Sequence, residues 1–240
     1  MRRVLSGMRR AIQDYNMIQP GDKIAVGVSG GKDSLTLLCA LAAYRRFSEV
    51  PFEVMGVTLN MGFEGVDYSP VKSLCDEIGV EYVVKNTDIA EILFDVRKEK
   101  NPCSLCAKMR RGGVNDLAKD HGCNKVALGH HNEDVIETFF LSLFYEGSLN
   151  CFSPVTYLSR TDMYVIRPLI YVAEGDIKGF AKRENIPIVH NPCPMDGASK
   201  RQEMKDFINE RNEMDHHFKT RMMTAIKTGL EDWKPIEQER

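Results

Sequence analysis

An apolar run, Lys23-Ile24-Ala25-Val26-Gly27-Val28, feeds Ser29-Gly30-Gly31-Lys32-Asp33-Ser34, and an apolar helical pattern from Leu35 to Ala43 leaves it. A strand that ends in a glycine turn and opens a helix commits this region to a strand–turn–helix unit whose turn is an anion site. Gly30 and Gly31 have no Cβ, so backbone N–H groups can close on an oxyanion. Ser34 and the first helical turn add donors at the positive end of the helix dipole. Lys32 adds a point charge. The usual nucleotide loop G-x-x-x-x-G-K-[ST] does not fit, because Asp33 stands where Ser or Thr would follow the lysine.

The same alternation continues along the chain. A second strand is expected at 52–59, then a helix from Ser69 to Ile78 with Ser69 as N-cap and Pro70 at its first position, then a strand at 81–85. A helix around 89–94, a helix that runs to Lys119 after Cys103, and a buried strand at 125–129 follow. A further helix is expected from Asp134, with Val135, Ile136, Phe139, Phe140 and Leu143 facing the core. Ahead of the first strand, Leu5, Met8, Ile12 and Tyr15 recur at helical spacing until Gln19-Pro20-Gly21-Asp22. Residues 164–169 read as extended, 174–184 as a polar-faced helix, and the last forty or so residues as helical. This pattern predicts an α/β fold: a doubly wound, mostly parallel sheet with helices on both faces, an N-terminal helix and a C-terminal helical extension.

No apolar run approaches the roughly 18 residues that a membrane helix needs, and the first ten residues lack the apolar region of a secretory signal. The expectation is a cytoplasmic protein with no membrane partner. Seven cysteines in a reducing compartment, an odd number with a tight C-x-x-C, favour metal, cluster or redox use over a disulfide framework. A formal net charge of −2 gives no global reason to expect nucleic acid. Local basic groups stand apart from that balance: Arg2, Arg3, Arg9 and Arg10, then Lys108, Arg110 and Arg111, then Lys200 and Arg201.

Ligands of open α/β sheets collect beyond the carboxyl ends of the strands. Three segments fall there: Ser29 to Ser34, Leu59-Asn60-Met61-Gly62, and Gly129-His130-His131-Asn132-Glu133-Asp134. Backbone from Thr58 to Met61, including Asn60, is placed to hold adenine. Gly129 is placed to let a nucleotide approach closely, and Asp134 to hold Mg²⁺, a hard cation that takes carboxylate oxygen. Packing of one His130 or His131 ring at a helix entry is the plainer reading of that pair.

Cys103-Ser104-Leu105-Cys106 puts two thiols on one side of a turn or helix start, suited to a soft metal centre. Cys193, in Asn191-Pro192-Cys193-Pro194, lies in the other polar, proline-bounded loop, whereas Cys39, Cys75, Cys123 and Cys151 sit in apolar contexts and read as core. Three cysteines match an iron–sulfur cluster with one iron left open. A redox dithiol, or zinc completed by His190 or Asp196, are the alternatives.

The Ser29–Ser34 loop matches the SGGxDS loop of the PP-loop ATP pyrophosphatases. Taken in order with C-S-L-C and Lys108-Met109-Arg110-Arg111-Gly112, with Ala127-Leu128-Gly129-His130-His131, and with Ile166-Arg167-Pro168-Leu169, it resembles the tRNA 2-thiocytidine biosynthesis (TtcA) family from about Arg3 to Gln202. The resemblance implies ATP-dependent transfer of sulfur to C2 of cytidine 32 in tRNA, with a 4Fe-4S cluster, Mg²⁺, a cysteine desulfurase or other sulfide donor, and a homodimer. It implies Ser29, Gly30, Gly31, Lys32, Asp33 and Ser34 around the ATP phosphates. Asp134 would lie near Mg²⁺, Arg167 near substrate or phosphate, and Cys103, Cys106 and Cys193 on the cluster. It also divides the chain into an N-terminal helix (1–20), a PP-loop ATPase domain with the Cys103–Cys106 insertion (21–190), and a cluster-ligand loop with a helical tail (191–240). The sequence departs from the family where Pro194-Met195-Asp196 follows Cys193 without the common fourth thiol, and where Glu133-Asp134 replaces Asp-Asp. Competing expectations are a PP-loop enzyme that thiolates or desulfurates another base or small molecule, amine ligation on the same adenylate, and an ATP-binding iron–sulfur sensor or carrier without turnover.

Overall fold

Near-continuous apolar strands are covered on both faces, and that requirement organises the chain. The computed structural model describes residues 1–97, 102–190, 192–194 and 200–236. Its six strands are β1 (Lys23–Gly27), β2 (Glu53–Asn60), β3 (Glu81–Asn86), β4 (Lys125–Ala127), β5 (Val155–Leu158) and β6 (Met163–Ile166). They form one sheet in the order β3-β2-β1-β4-β6-β5, parallel throughout except for the antiparallel pair β5–β6. Ile24 of β1 lies opposite Val54 of β2 and Lys125 of β4, so the first strand is central.

Nine α-helices surround the sheet among the described residues: α1 (Arg2–Asp14), α2 (Lys32–Tyr44), α3 (Ser69–Ile78), α4 (Ile89–Glu91), α5 (Pro102–Asp120), α6 (Asn132–Leu141), α7 (Glu174–Arg183), α8 (Lys200–Met214) and α9 (Phe218–Gly229). The expected doubly wound, mostly parallel architecture is the one observed. Successive residues of a strand point to opposite faces. Ile24, Val26, Val54 and Ala127 accordingly join a core with α1, α2, α3, α6 and α7, whereas Ala25, Met55, Val57 and Val126 join one with α4 and α5.

Local details differ from expectation for short-range reasons. Tyr68, not Ser69, is the N-cap of α3; Ser69 is its first helical residue, and the Asp67 carboxylate accepts the Ser69 N–H at 2.8 Å and the Ser69 hydroxyl at 2.7 Å. The helix expected from Asp134 starts at Asn132, because the Asp134 carboxylate reaches back to accept the His131 N–H at 2.9 Å. β5 was not expected, being four half-exposed residues with no clean alternation.

The chain ends take part in the same core. Val4, Met8 and Ile12 of α1 are buried with Met204, Ile208, Met223 and Ile226 of α8 and α9. Trp233 is fully buried; its indole N–H donates to the Phe152 carbonyl at 3.1 Å, and its own carbonyl accepts the Tyr15 hydroxyl at 2.8 Å. Among the described residues, no helix is long and apolar enough to cross a membrane. Trp233→Ala is expected to cost about 3–5 kcal/mol of global stability through the cavity it leaves, measured by urea unfolding. A tail that melts separately while the sheet keeps wild-type stability would contradict this packing.

Candidate functional site

β2 and β3 extend the sheet to one side of β1, while β4, β6 and β5 extend it to the other, so strand order reverses between β1 and β4. The crevice at their carboxyl ends is the switch point of the sheet. The Ser29–Ser34 turn leaves β1 there, and Gly129–Asp134 leaves β4 beside it. Within the turn, Ser34 Oγ accepts the Ser29 N–H at 3.1 Å, donates to the Gly31 carbonyl at 3.0 Å and lies 3.2 Å from Ser29 Oγ. Gly30 has φ +87°, and a Cβ there would meet Val189 Cβ at 2.9 Å, so both conformation and space require glycine. The Gly30 carbonyl accepts the Val189 N–H at 2.9 Å, which ties the segment before Cys193 to the phosphate turn.

Gly129 also serves a close contact within the protein. A Cβ would lie 2.9 Å from Asp33 C and Ser34 N. Glycine therefore lets the exit of β4 touch the backbone that opens α2. The Thr58 side chain is turned into the sheet, which leaves its backbone for the expected adenine contact. It is fully buried, its hydroxyl donates to the Val28 carbonyl at 2.7 Å and lies 2.7 Å from the Tyr82 hydroxyl, and it binds the sheet together. Asn60 sits at the strand end, where its side chain bridges Asn86 and the Gly62 N–H.

The contact between the two turns assembles a compact charge cluster. Lys32 Nζ lies 3.0 Å from Asp33 Oδ2 and 3.2 Å from Glu174 Oε1 at the start of α7. Burial opposes the Lys32 ammonium, yet Asp33 and Glu174 outweigh it and raise its pKa. Buried His131 lies 3.8 Å from Asp33 Oδ1 and 3.5 Å from Asp134 Oδ2, and its Nδ1 is 3.3 Å from Glu133 Oε2 without hydrogen-bond alignment. Burial lowers the His131 pKa, but Glu133, Asp134 and Asp33 reverse the sign and favour the imidazolium. Burial would raise Glu133, but His131, the Glu174 N–H and Lys219 hold it down at about 2. Asp33 Oδ1 is buried with no hydrogen-bond partner, an oxygen oriented within the cluster and available to a ligand.

The C-terminal helices supply cations that the sequence left as a basic surface group. Arg201 of α8 lies 3.4 Å from Asp134 Oδ1, 3.8 Å from Glu137 Oε2 and donates to Thr138 Oγ1 at 3.0 Å. Lys205 lies 3.1 Å from Glu174, and Lys219 of α9 lies 3.4 Å from Glu133. Glu137, Glu174, Lys205 and Lys219 had no local signal, since only the docking of α7, α8 and α9 brings them to the switch point.

Arg167 follows β6 and is held by the Ser153 carbonyl at 2.5 Å and Thr156 Oγ1 at 3.1 Å, with its guanidinium 5.0 Å from the Phe152 ring centre. His130 stacks on the same ring at 4.8 Å. Burial, and then Arg167, push the His130 pKa down to about 4, so this ring is neutral at pH 7. Burial lowers Arg167 to about 10, which leaves it charged. Arg111, one turn beyond Cys106 on α5, adds to that lowering and so lies within electrostatic reach of Arg167.

Cys103 is exposed and Cys106 half-buried in the first turns of α5, and Cys193 is half-buried. Burial raises the Cys106 pKa, Arg110 lowers it, and both Cys193 and Cys103 raise it, so the three thiols share one neighbourhood. The other four cysteines are buried, and burial pushes their thiols up to about 11 or 12, out of the range of thiolate chemistry. Among the described residues no three His, Cys, Asp or Glu side chains converge on a single-ion position. Cluster thiolates need no such convergence, because each binds a different iron; three soft donors on two elements fit that group. Asp196, the candidate zinc ligand, lies outside the described residues, as do Asn191 and Met195.

Two outcomes are expected. Gly129→Ala forces the β4 exit away from α2, lowering stability by about 1–3 kcal/mol and weakening ATP binding; unchanged urea midpoint and ATP affinity would contradict the contact. Glu137 is nearly fully buried, and burial, then Asp134, raise it to about 7 despite Arg201 and Lys205. An acid raised in the folded state binds its proton more tightly there, so its contribution to stability falls as pH rises from about 4.5 to 7. Glu137→Gln should remove that decline, flattening urea-denaturation midpoints between pH 5 and pH 8 on the order of 1 kcal/mol; an unchanged slope would contradict it.

The PP-loop domain family model matches residues 5–211. The tRNA-cytidine(32) 2-sulfurtransferase of Geobacter metallireducens is 37% identical over 228 residues, covering 94% of this chain and 89% of the relative. That of Pelobacter propionicus is 36% identical over 228 residues, covering 94% and 85%. Among solved structures, the U34-tRNA thiolase NcsA from Methanococcus maripaludis, with its 4Fe-4S cluster, shares the fold. It matches with a TM-score of 0.77 at 22% identity, over 94% of this chain and 78% of that one. On the phosphate turn, the switch-point geometry and these likenesses, the chain belongs to the PP-loop tRNA-cytidine(32) 2-sulfurtransferase family.

Proposed function

We propose that this protein is an ATP-dependent tRNA sulfurtransferase that adenylates C2 of cytidine 32 and replaces its oxygen with sulfur. The observation that supports this reading is a phosphate turn at the carboxyl end of β1, bonded through its Gly30 carbonyl to Val189 four residues before Cys193, in a chain whose three non-core cysteines influence one another electrostatically. α5 runs back from the carboxyl end of β3 to the start of β4, so its first turns, with Cys103 and Cys106, lie toward the carboxyl side of the sheet, where the ligands of such sheets bind.

In this reading the N–H groups of the Ser29–Ser34 turn and of the first turn of α2 receive the ATP phosphates, with Lys32 as the mobile charge. Asp134, now paired with Arg201, would hold Mg²⁺, with Asp33, whose Oδ1 has no hydrogen-bond partner, beside it. The C2 oxygen of cytidine attacks the α phosphorus and pyrophosphate leaves. These residues act by position and charge on the departing pyrophosphate. Arg167, packed with neutral His130 on the Phe152 ring, acts near the substrate or phosphate. Sulfur at the sulfide level then adds to C2, and the oxygen departs within AMP, so one C–O bond is exchanged for one C–S bond without net oxidation. Cys103, Cys106 and Cys193 would hold a 4Fe-4S cluster, which would supply a site for presenting that sulfur. The working form is a cytoplasmic homodimer that draws sulfide from a cysteine desulfurase or another donor.

Mass spectrometry of tRNA nucleosides from a strain lacking this gene is expected to show loss of 2-thiocytidine, restored by the wild-type gene and not by Cys103→Ser. Retention of 2-thiocytidine would overturn the substrate assignment. Anaerobic purification should give brown protein with about four irons per chain; colourless protein that thiolates tRNA would overturn the cluster assignment.

A further inference from the structure

Glu174 is the hub of the charge cluster, and neither the phosphate turn nor the cysteines account for it. It is the first residue of α7, fixed there by its own N–H, which donates to Glu133 Oε2 at 2.8 Å. Its side chain is only 11% exposed, yet it meets three ammonium groups: Lys32 at 3.2 Å and Lys205 at 3.1 Å on Oε1, and Lys178 at 3.0 Å on Oε2. One carboxylate therefore needs one cation and has three. Removing a single partner from a lone buried ion pair strands a charge and is strongly unfavourable. Here Lys32 can leave while Lys178 and Lys205 stay.

We infer that Glu174 is a positioning residue of the nucleotide step: it holds Lys32 beside the phosphate turn and yields it to the triphosphate, while Lys178 and Lys205 keep the carboxylate compensated. The inference rests on the ATP half of the proposed function. Lys205 belongs to α8, the helix that follows the Cys193 segment, so the readiness of Lys32 to move depends on α8 being docked. Glu174 competes with phosphate for Lys32, and Lys205 weakens Glu174 as a competitor.

The arrangement makes signed predictions for binding of Mg²⁺ and α,β-methylene-ATP to the full chain without tRNA, measured by calorimetry. Glu174→Gln removes the competitor and should tighten binding roughly three- to tenfold. Lys205→Met should weaken it by a similar factor, and Lys178→Met should weaken it less, because that ammonium is more exposed. The double variant Glu174→Gln, Lys205→Met should bind like Glu174→Gln alone, and in a Lys32→Met background Glu174→Gln should have no effect. Unchanged or weaker binding by Glu174→Gln overturns the inference, as does an equal loss from Lys205→Met in the presence and absence of Glu174. Should Glu174→Gln fail to fold by circular dichroism, Lys205→Met and Lys178→Met decide, and wild-type affinity in both overturns the inference. No binding of the analogue by wild-type protein would overturn the ATP reading together with the inference, whereas equal binding by all variants would overturn the inference alone.

Discussion

The side-by-side pairing of β1 with β4 is the constraint on which the site depends. Only three register pairs join them, from Ile24↔Lys125 to Val26↔Ala127, but both strands end in the turns that form the candidate site. Beyond the ladder the two exits touch, backbone against backbone, where Gly129 meets Asp33 and Ser34. That contact brings His131, Glu133 and Asp134 to Lys32 and Asp33. Any side chain at position 129 would hold the two halves of the site apart, whatever the chemistry of the residues on them.

Charges this close and this buried persist only when each is answered. Glu133 is answered by His131, the Glu174 N–H and Lys219; Glu174 by three lysines; Asp134 by the His131 N–H and Arg201. Three of these cations, Arg201, Lys205 and Lys219, come from α8 and α9. The C-terminal helices thus complete the site electrostatically as well as closing the core around Trp233. In the proposed reaction ATP adds its own charges to this network, so binding there would be an exchange of partners, not the filling of a neutral pocket.

Much of this was legible from short-range pattern. The apolar run into Ser29–Ser34, the alternation of strand and helix, and the contrast between Cys103, Cys106, Cys193 and the four apolar cysteines are local signals, and the observed sheet and cysteine burial agree with them. What was not legible depends on contacts between residues far apart in sequence. Nothing near Gly129 announces that its neighbour is the backbone of Asp33, and Thr58 reads as a strand-end residue until Tyr82 and Val28 are placed beside it. Glu174 looks like an ordinary helix-start acid, favourable to the dipole. Its role as a hub appears only when α7 and α8 dock on either side of Lys32. The strand β5 was hidden for a different reason, because four half-exposed residues carry no periodicity.

The most direct test of the account follows the oxygen that is replaced. Single-turnover reaction of cluster-loaded protein with ATP, sulfide and a tRNA carrying heavy oxygen at C2 of cytidine 32 allows each product to be read by mass spectrometry. If C2 is activated as its adenylate, the heavy oxygen appears in AMP, one atom for each 2-thiocytidine formed. Heavy oxygen recovered in water or pyrophosphate, or thiolation without AMP, would contradict it.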